Sequence, residues 1–111
     1  MRERSKARNE ELFRNVNEQI EAVSQTVEPE DPLMEYLCEC DRQDCYEKVK
    51  ATRAEYESIR SDPTHFIVCL GHQDPSVERV LASNDRFLVV EKLGAAARDA
   101  RETDPRGAAD S

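Results

Sequence analysis

Apolar residues in the first quarter of the chain recur every three or four positions. Phe13, Val16, Ile20, Val23 and Val27 step by 3, 4, 3 and 4, with Leu12 beside them, which predicts an amphipathic helix over about residues 5–27. Glu10 and Arg14 stand one turn apart and can pair on its surface. An apolar seam of this kind has to be covered, whether by the protein's own sheet, by a second copy or by another protein. All three remain open on the pattern alone. The expectation is a protein partner or a homodimer contacting Phe13, Val16, Ile20 and Val23 at least part of the time.

Glu28-Pro29-Glu30-Asp31-Pro32 stops the helix, because proline neither continues it nor lets the residue before it stay helical. Segment 1–27 is therefore set apart from a domain over 33–94, with a flexible tail over 95–111. After the break, Leu33 to Cys40 reads as a strand, Asp41 to Asp44 as a turn and Cys45 to Ala51 as a returning strand. Thr52-Arg53-Ala54-Glu55 fits a capping box, so a short helix should run to about Ser61 with Tyr56 and Ile59 facing inward. Asp62-Pro63 ends that helix, and His65 to Leu70 is a compact β-rich run. Val77 to Ala82 and Phe87 to Leu93 flank Ser83-Asn84-Asp85-Arg86 as a second hairpin. The predicted fold is α+β: an N-terminal helix, a metal-bearing β-hairpin, a short helix, and a small antiparallel sheet with a second hairpin. From Gly94 onward alanines and charges alternate without large apolar residues, so a partly helical tail is expected, frayed or disordered from about Thr103.

Composition sharpens this picture. Of 111 residues, 38% are hydrophobic and 36% charged, so the core is thin and a staple would help it. The net charge of −8 argues against general nucleic-acid binding, which needs a surplus of lysine and arginine against phosphate. Residues 1–15 are locally basic, with five basic and three acidic side chains, and they keep nucleic-acid binding as an alternative. No apolar run is long enough to span a bilayer and no secretory leader is visible, so a reducing cytoplasm is the expected setting. There, clustered cysteines bind metal more often than they form disulfides.

Three of the four cysteines fall within eight positions, as Cys38-Glu39-Cys40 and then Cys45. A structural zinc site takes four thiolate or imidazole ligands in a tetrahedron. On a strand, residues two apart share a face, so Cys38 and Cys40 can meet one ion, and the turn can bring Cys45 beside them. The fourth ligand must come from elsewhere. His72, after the permissive Gly71, is favoured; Cys69 is chemically suitable but lies inside the apolar run Phe66-Ile67-Val68-Cys69-Leu70, where a buried hydrophobe is the simpler reading. His65 reads as a surface residue, and Glu39, Asp41 and Asp44 as solvation of an exposed turn. A reactive-thiol role and inert buried thiols are the other readings of the cluster.

Other chemistry is thinly supported. Three glycines, at 71, 94 and 107, build no phosphate-cradling loop, and two histidines leave the serines without a recognisable triad. A site closed by four protein ligands does not activate water. The expectation is a non-enzymatic zinc-binding regulatory or protein-interaction module, the alternatives being a nucleic-acid binder or a thiol- or metal-dependent enzyme.

Taken together, Arg8-Asn9-Glu10, Leu12-Phe13-Arg14, Asn17-Glu18, the three clustered cysteines, Glu55-Tyr56-Glu57, Gly71-His72, Val89-Val90-Glu91-Lys92 and Asp104-Pro105-Arg106 carry a resemblance. The chain resembles a group of small bacterial proteins, chiefly from actinobacteria. The resemblance implies a shared domain design with Cys38, Cys40, Cys45 and His72 as the metal set, and a non-ligand at the place of Cys69. It brings no activity with it.

Overall fold

The computed structural model describes residues 2–24, 33–42 and 44–106. Helix α1 spans Arg2–Ser24, strands β1 and β2 span Leu33–Leu37 and Lys48–Thr52, and helix α2 spans Arg53–Arg60. Strands β3 (His65–Val68), β4 (Glu78–Ser83) and β5 (Leu88–Lys92) come next, then helix α3 over Gly94–Glu102. The β1–β2 pair is an antiparallel hairpin with Leu33 opposite Thr52 and Leu37 opposite Lys48. The second sheet is antiparallel in the order β3-β5-β4, with a bulge between Val80 and Ala82. The predicted α+β architecture is the observed one.

Local chemistry accounts for several boundaries. The Thr52 hydroxyl accepts from the Glu55 amide at 3.1 Å and the Glu55 carboxylate accepts from the Thr52 amide at 2.8 Å, closing the capping box that starts α2. Tyr56 and Ile59 face inward as expected, and the Tyr56 ring stacks on Tyr36 of β1 at 4.5 Å between centroids. Around that stack lie Val49, Ala51, Phe66, Ile67, Val68 and Val90, which join the two sheets into one core.

Helix α1 docks differently from its apolar seam. Phe13 is buried and Ile20 packs against the core, but Leu12 and Val23 are 54% and 63% exposed. Val27 lies outside the described residues. The buried stripe is Glu10, Phe13, Arg14, Asn17 and Glu21, four of whose five members are polar. Most of those polar groups are matched, as burial requires, the buried Arg14 Nε being an exception. Arg14 donates to the carbonyls of Pro63 (2.9 Å) and Ala100 (3.1 Å) and to the Thr103 hydroxyl (3.1 Å), with its guanidinium 4.8 Å above the Phe66 ring. Glu10 pairs with Lys92 of β5, which also holds Glu78 of β4.

The first part of the stretch over 95–111 forms helix α3 and packs on the rest of the protein. Ala97 and Ala100 of α3 are buried, and Asp104 is buried against Arg60 of α2. Arg106 reaches Glu18 of α1 (2.6 Å) and Glu57 of α2 (2.7 Å). Small side chains let α3 pack closely, and charge pairing through Asp104 and Arg106 holds the chain just beyond it. Residues 107–111 lie outside the described residues.

Candidate metal centre

The hairpin strands end earlier than their sequence suggests, and the reason leads to the site. Cys38 and Cys40 come after β1 rather than lying within it, and Cys45 precedes β2. The Cys38 amide still bonds Glu47 across the hairpin (2.9 Å), but the Glu39 amide turns to Ile67 of β3 at 2.8 Å. Segment 38–40 thereby runs between the hairpin and the second sheet. The turn also shifts by one residue, closing from the Cys45 amide to the Arg42 carbonyl at 3.2 Å.

Cys38, Cys40 and Cys45 are buried and His72 nearly so, and their sulphur and nitrogen atoms all lie within 4.8 Å of one another. The His72 Nδ1 stands 3.6 Å from the sulphurs of both Cys38 and Cys45. A tetrahedral ion with ordinary ligand distances, about 2.3 Å to sulphur and about 2.0 Å to nitrogen, sets sulphur and nitrogen about 3.5 Å apart. The donor set and its spacing therefore fit a metal ion, and the four residues could hold one.

His72 reaches the site because the chain reverses after β3. Its amide bonds the Cys69 carbonyl at 3.0 Å, and Gly71, between them, has φ +82°. That is a left-handed conformation in which glycine avoids a steric cost. Arg42 fastens this turn to the hairpin tip through the Gly71 carbonyl (3.0 Å). On the far side of the imidazole, Nε2 lies 3.2 Å from the Glu47 carboxylate, the arrangement that orients a ligating histidine.

The sulphurs have amide neighbours as well. The Cys69 amide donates to the Cys38 sulphur at 3.1 Å. Hydrogen bonding to the Cys38 sulphur, and after it burial, pushes the Cys40 thiol up, with the Arg42 amide acting the other way. Burial pushes the Cys45 thiol up, opposed by the Glu47 amide. Crowded thiols with backbone donors aimed at them gain from a bound cation, which reverses the penalty on the thiolate.

Cys69 is half-buried, with its sulphur 4.0 Å from the Lys48 carbonyl. It falls outside the four-residue cluster and groups instead with Glu47 and His72. His65 lies at the surface between Asp62 (3.6 Å) and Glu91 (3.5 Å). Asp44 is exposed, as a turn residue should be. Glu39 is not: it is fully buried, and the expectation that it solvates the turn is overturned. Its carboxyl accepts from the Asn17 side chain (2.8 Å), the Tyr56 hydroxyl (2.8 Å) and the Ile67 amide (3.1 Å). Burial pushes that carboxyl up against the pull of these donors. The alternation that turns Cys38 and Cys40 one way sends Glu39 the other way, so its burial had a signal in the sequence.

A separate cavity of about 370 Å³ is lined by Glu10, Arg14, Phe66, Val77 and the first turns of α3, and neither cysteine nor histidine lines it. No helix among the described residues is long and apolar enough to cross a membrane. No protein-family model matches the chain, and no curated protein or solved structure matches it either.

Proposed function

We propose that the chain is a small cytoplasmic zinc-binding module that works through protein contacts, with a structural rather than catalytic ion. The observation that carries this reading is the 3.6 Å separation of His72 Nδ1 from two buried cysteine sulphurs. Three thiolates and one imidazole form a soft donor set that suits zinc, and four protein ligands leave no position for a substrate. Bound zinc would supply electrostatic cross-linking: the hairpin tip and the turn after β3 become one unit, useful in a chain with a thin core. The interaction part of the reading is supported by Leu12 and Val23, which α1 leaves exposed. The net charge of −8 weighs against nucleic acid as the partner.

Metal analysis of protein purified without chelators tests the reading. One zinc per chain is expected. A stoichiometry near zero, with free thiols and a fold indifferent to chelation, would sink it.

A further inference from the structure

We infer that ion binding at the cysteine cluster controls the docking of α1, and that Glu39 transmits the effect. This rests on the zinc-binding function proposed for the cluster. In Cys38-Glu39-Cys40 the two sulphurs belong to the cluster, while the residue between them enters the protein interior. There Glu39 meets Asn17 of α1, Tyr56 of α2 and the backbone of Ile67 in β3. Asn17 also brackets the end of β1, accepting from the Leu37 amide at 2.7 Å and donating to the Leu37 carbonyl at 2.8 Å. One side chain of α1 therefore holds both the strand end before the first cysteine and the residue between the first two.

A carboxyl group in the interior is kept there only while its partners stay in place, because water is the competing environment. Two backbone bonds restrain segment 38–40, from Cys38 to Glu47 and from Glu39 to Ile67. Ligation of Cys38 and Cys40 adds a restraint on each side of Glu39. Without the ion, segment 38–40 is freer to rotate, Glu39 can withdraw toward water, and Asn17 loses its carboxyl partner. The remaining anchors of α1 lie elsewhere: Arg14 reaches Pro63, Ala100 and Thr103, and Glu18 reaches Arg60 and Arg106. Those polar anchors do not touch the cysteine loop. Helix α1 meets it through Phe13, whose ring lies 6.0 Å from that of Tyr46, and through Asn17, whose hydrogen bonds to Leu37 and Glu39 lie beside and between Cys38 and Cys40 and carry the hydrogen-bonded part of the coupling. Linkage is reciprocal: whatever factor the ion adds to helix docking, the docked helix adds to ion affinity.

The test uses the full chain with its zinc content measured. Hydrogen exchange of α1 amides should accelerate about tenfold or more on chelation, while β4 and β5 change little. In a competition titration against a chelator, Asn17→Ala should bind zinc about tenfold more weakly than the unaltered chain. Tyr56→Phe, which keeps the ring stack on Tyr36 but removes one donor to Glu39, should weaken zinc binding by a smaller factor, and it carries the test if Asn17→Ala does not fold. Equal acceleration throughout the protein, unchanged α1 exchange after metal loss, or unaltered zinc affinity in both variants would overturn the coupling while leaving the metal reading intact. Failure of the unaltered chain to bind zinc at all would overturn both.

Discussion

The β1–β2 and β4–β5 hairpins are both antiparallel and both pack on the shared core, yet their tips are held by different means. The second closes with its own residues. Asn84 accepts from the amides of Arg86 (2.7 Å) and Phe87 (2.8 Å), and its amide bonds the Phe87 carbonyl at 3.1 Å. Arg86 reaches outward, to Glu55 at the start of α2 and to the Lys50 carbonyl of β2 (2.9 Å), and Phe87 packs into the core. The first hairpin connects its strands through ten residues that, besides two bonds of their own, are tied to β3, to the Cys69 amide and to α1. A tip closed by local turn chemistry can face solvent, and most of β4 is exposed. A tip that buries three thiols and a carboxyl depends on groups contributed from 20 or more positions away. The first hairpin carries three of the four candidate ligands and rests on contacts from outside itself.

His72 is the one member of the cluster contributed from outside the first hairpin. His72→Ala should release the metal and loosen the first hairpin, lowering stability by several kcal/mol. Cys69→Ala should retain the metal and cost about 1 kcal/mol, as for trimming a small packed side chain. Metal content and denaturant unfolding of the two variants check the pair. The reverse ranking would make the site a four-cysteine one.

The second hairpin has a buried charge cluster of its own, where it meets α1. Lys92 lies between Glu10 and Glu78, and burial outweighs the attraction of Lys92 to push the Glu10 carboxyl up to about 7, with Glu78 and Asp41 adding repulsion. A carboxyl that holds its proton more tightly when folded favours the folded state below its unfolded pKa, near 4.5, and loses that contribution as pH rises through about 7. Relative to Glu10→Gln, the unaltered protein should lose at most about 3 kcal/mol of stability between pH 4.5 and pH 8. Denaturant midpoints across that range, with zinc saturating, measure it. A pH-independent difference between the two proteins would refute the assignment.

Asn84→Ala removes the acceptor that closes the second tip and should cost about 1 kcal/mol, leaving metal content unchanged. Loss of zinc in that variant would mean that the two hairpins are not independent.

Much of the architecture is legible in the sequence because it depends on residues within a few positions of one another. The Thr52–Glu55 capping box, the inward Tyr56 and Ile59, the Asn84 turn and the strands beside it are local arrangements of this kind. The cysteine spacing belongs with them, since two positions on extended chain and one turn suffice to gather three sulphurs. His72 is readable only as a choice among candidates, because nothing local says which loop reaches the cluster.

Tertiary structure alone decided which face of α1 is buried. Polar residues in a sequence read as exposed, since losing water is costly unless a partner offsets the loss. The partners of Arg14 lie 49, 86 and 89 positions away, and that of Arg60 in the buried pair with Asp104 lies 44 away. The same holds for the stretch after α3, whose charges look solvated until Arg106 is seen between Glu18 and Glu57. By itself the sequence determined most of the elements and the donor set of the candidate site. The packing of the first helix and the insertion of Glu39 were decided by long-range hydrogen bonds, whose energy exists only once the chain has brought both partners together.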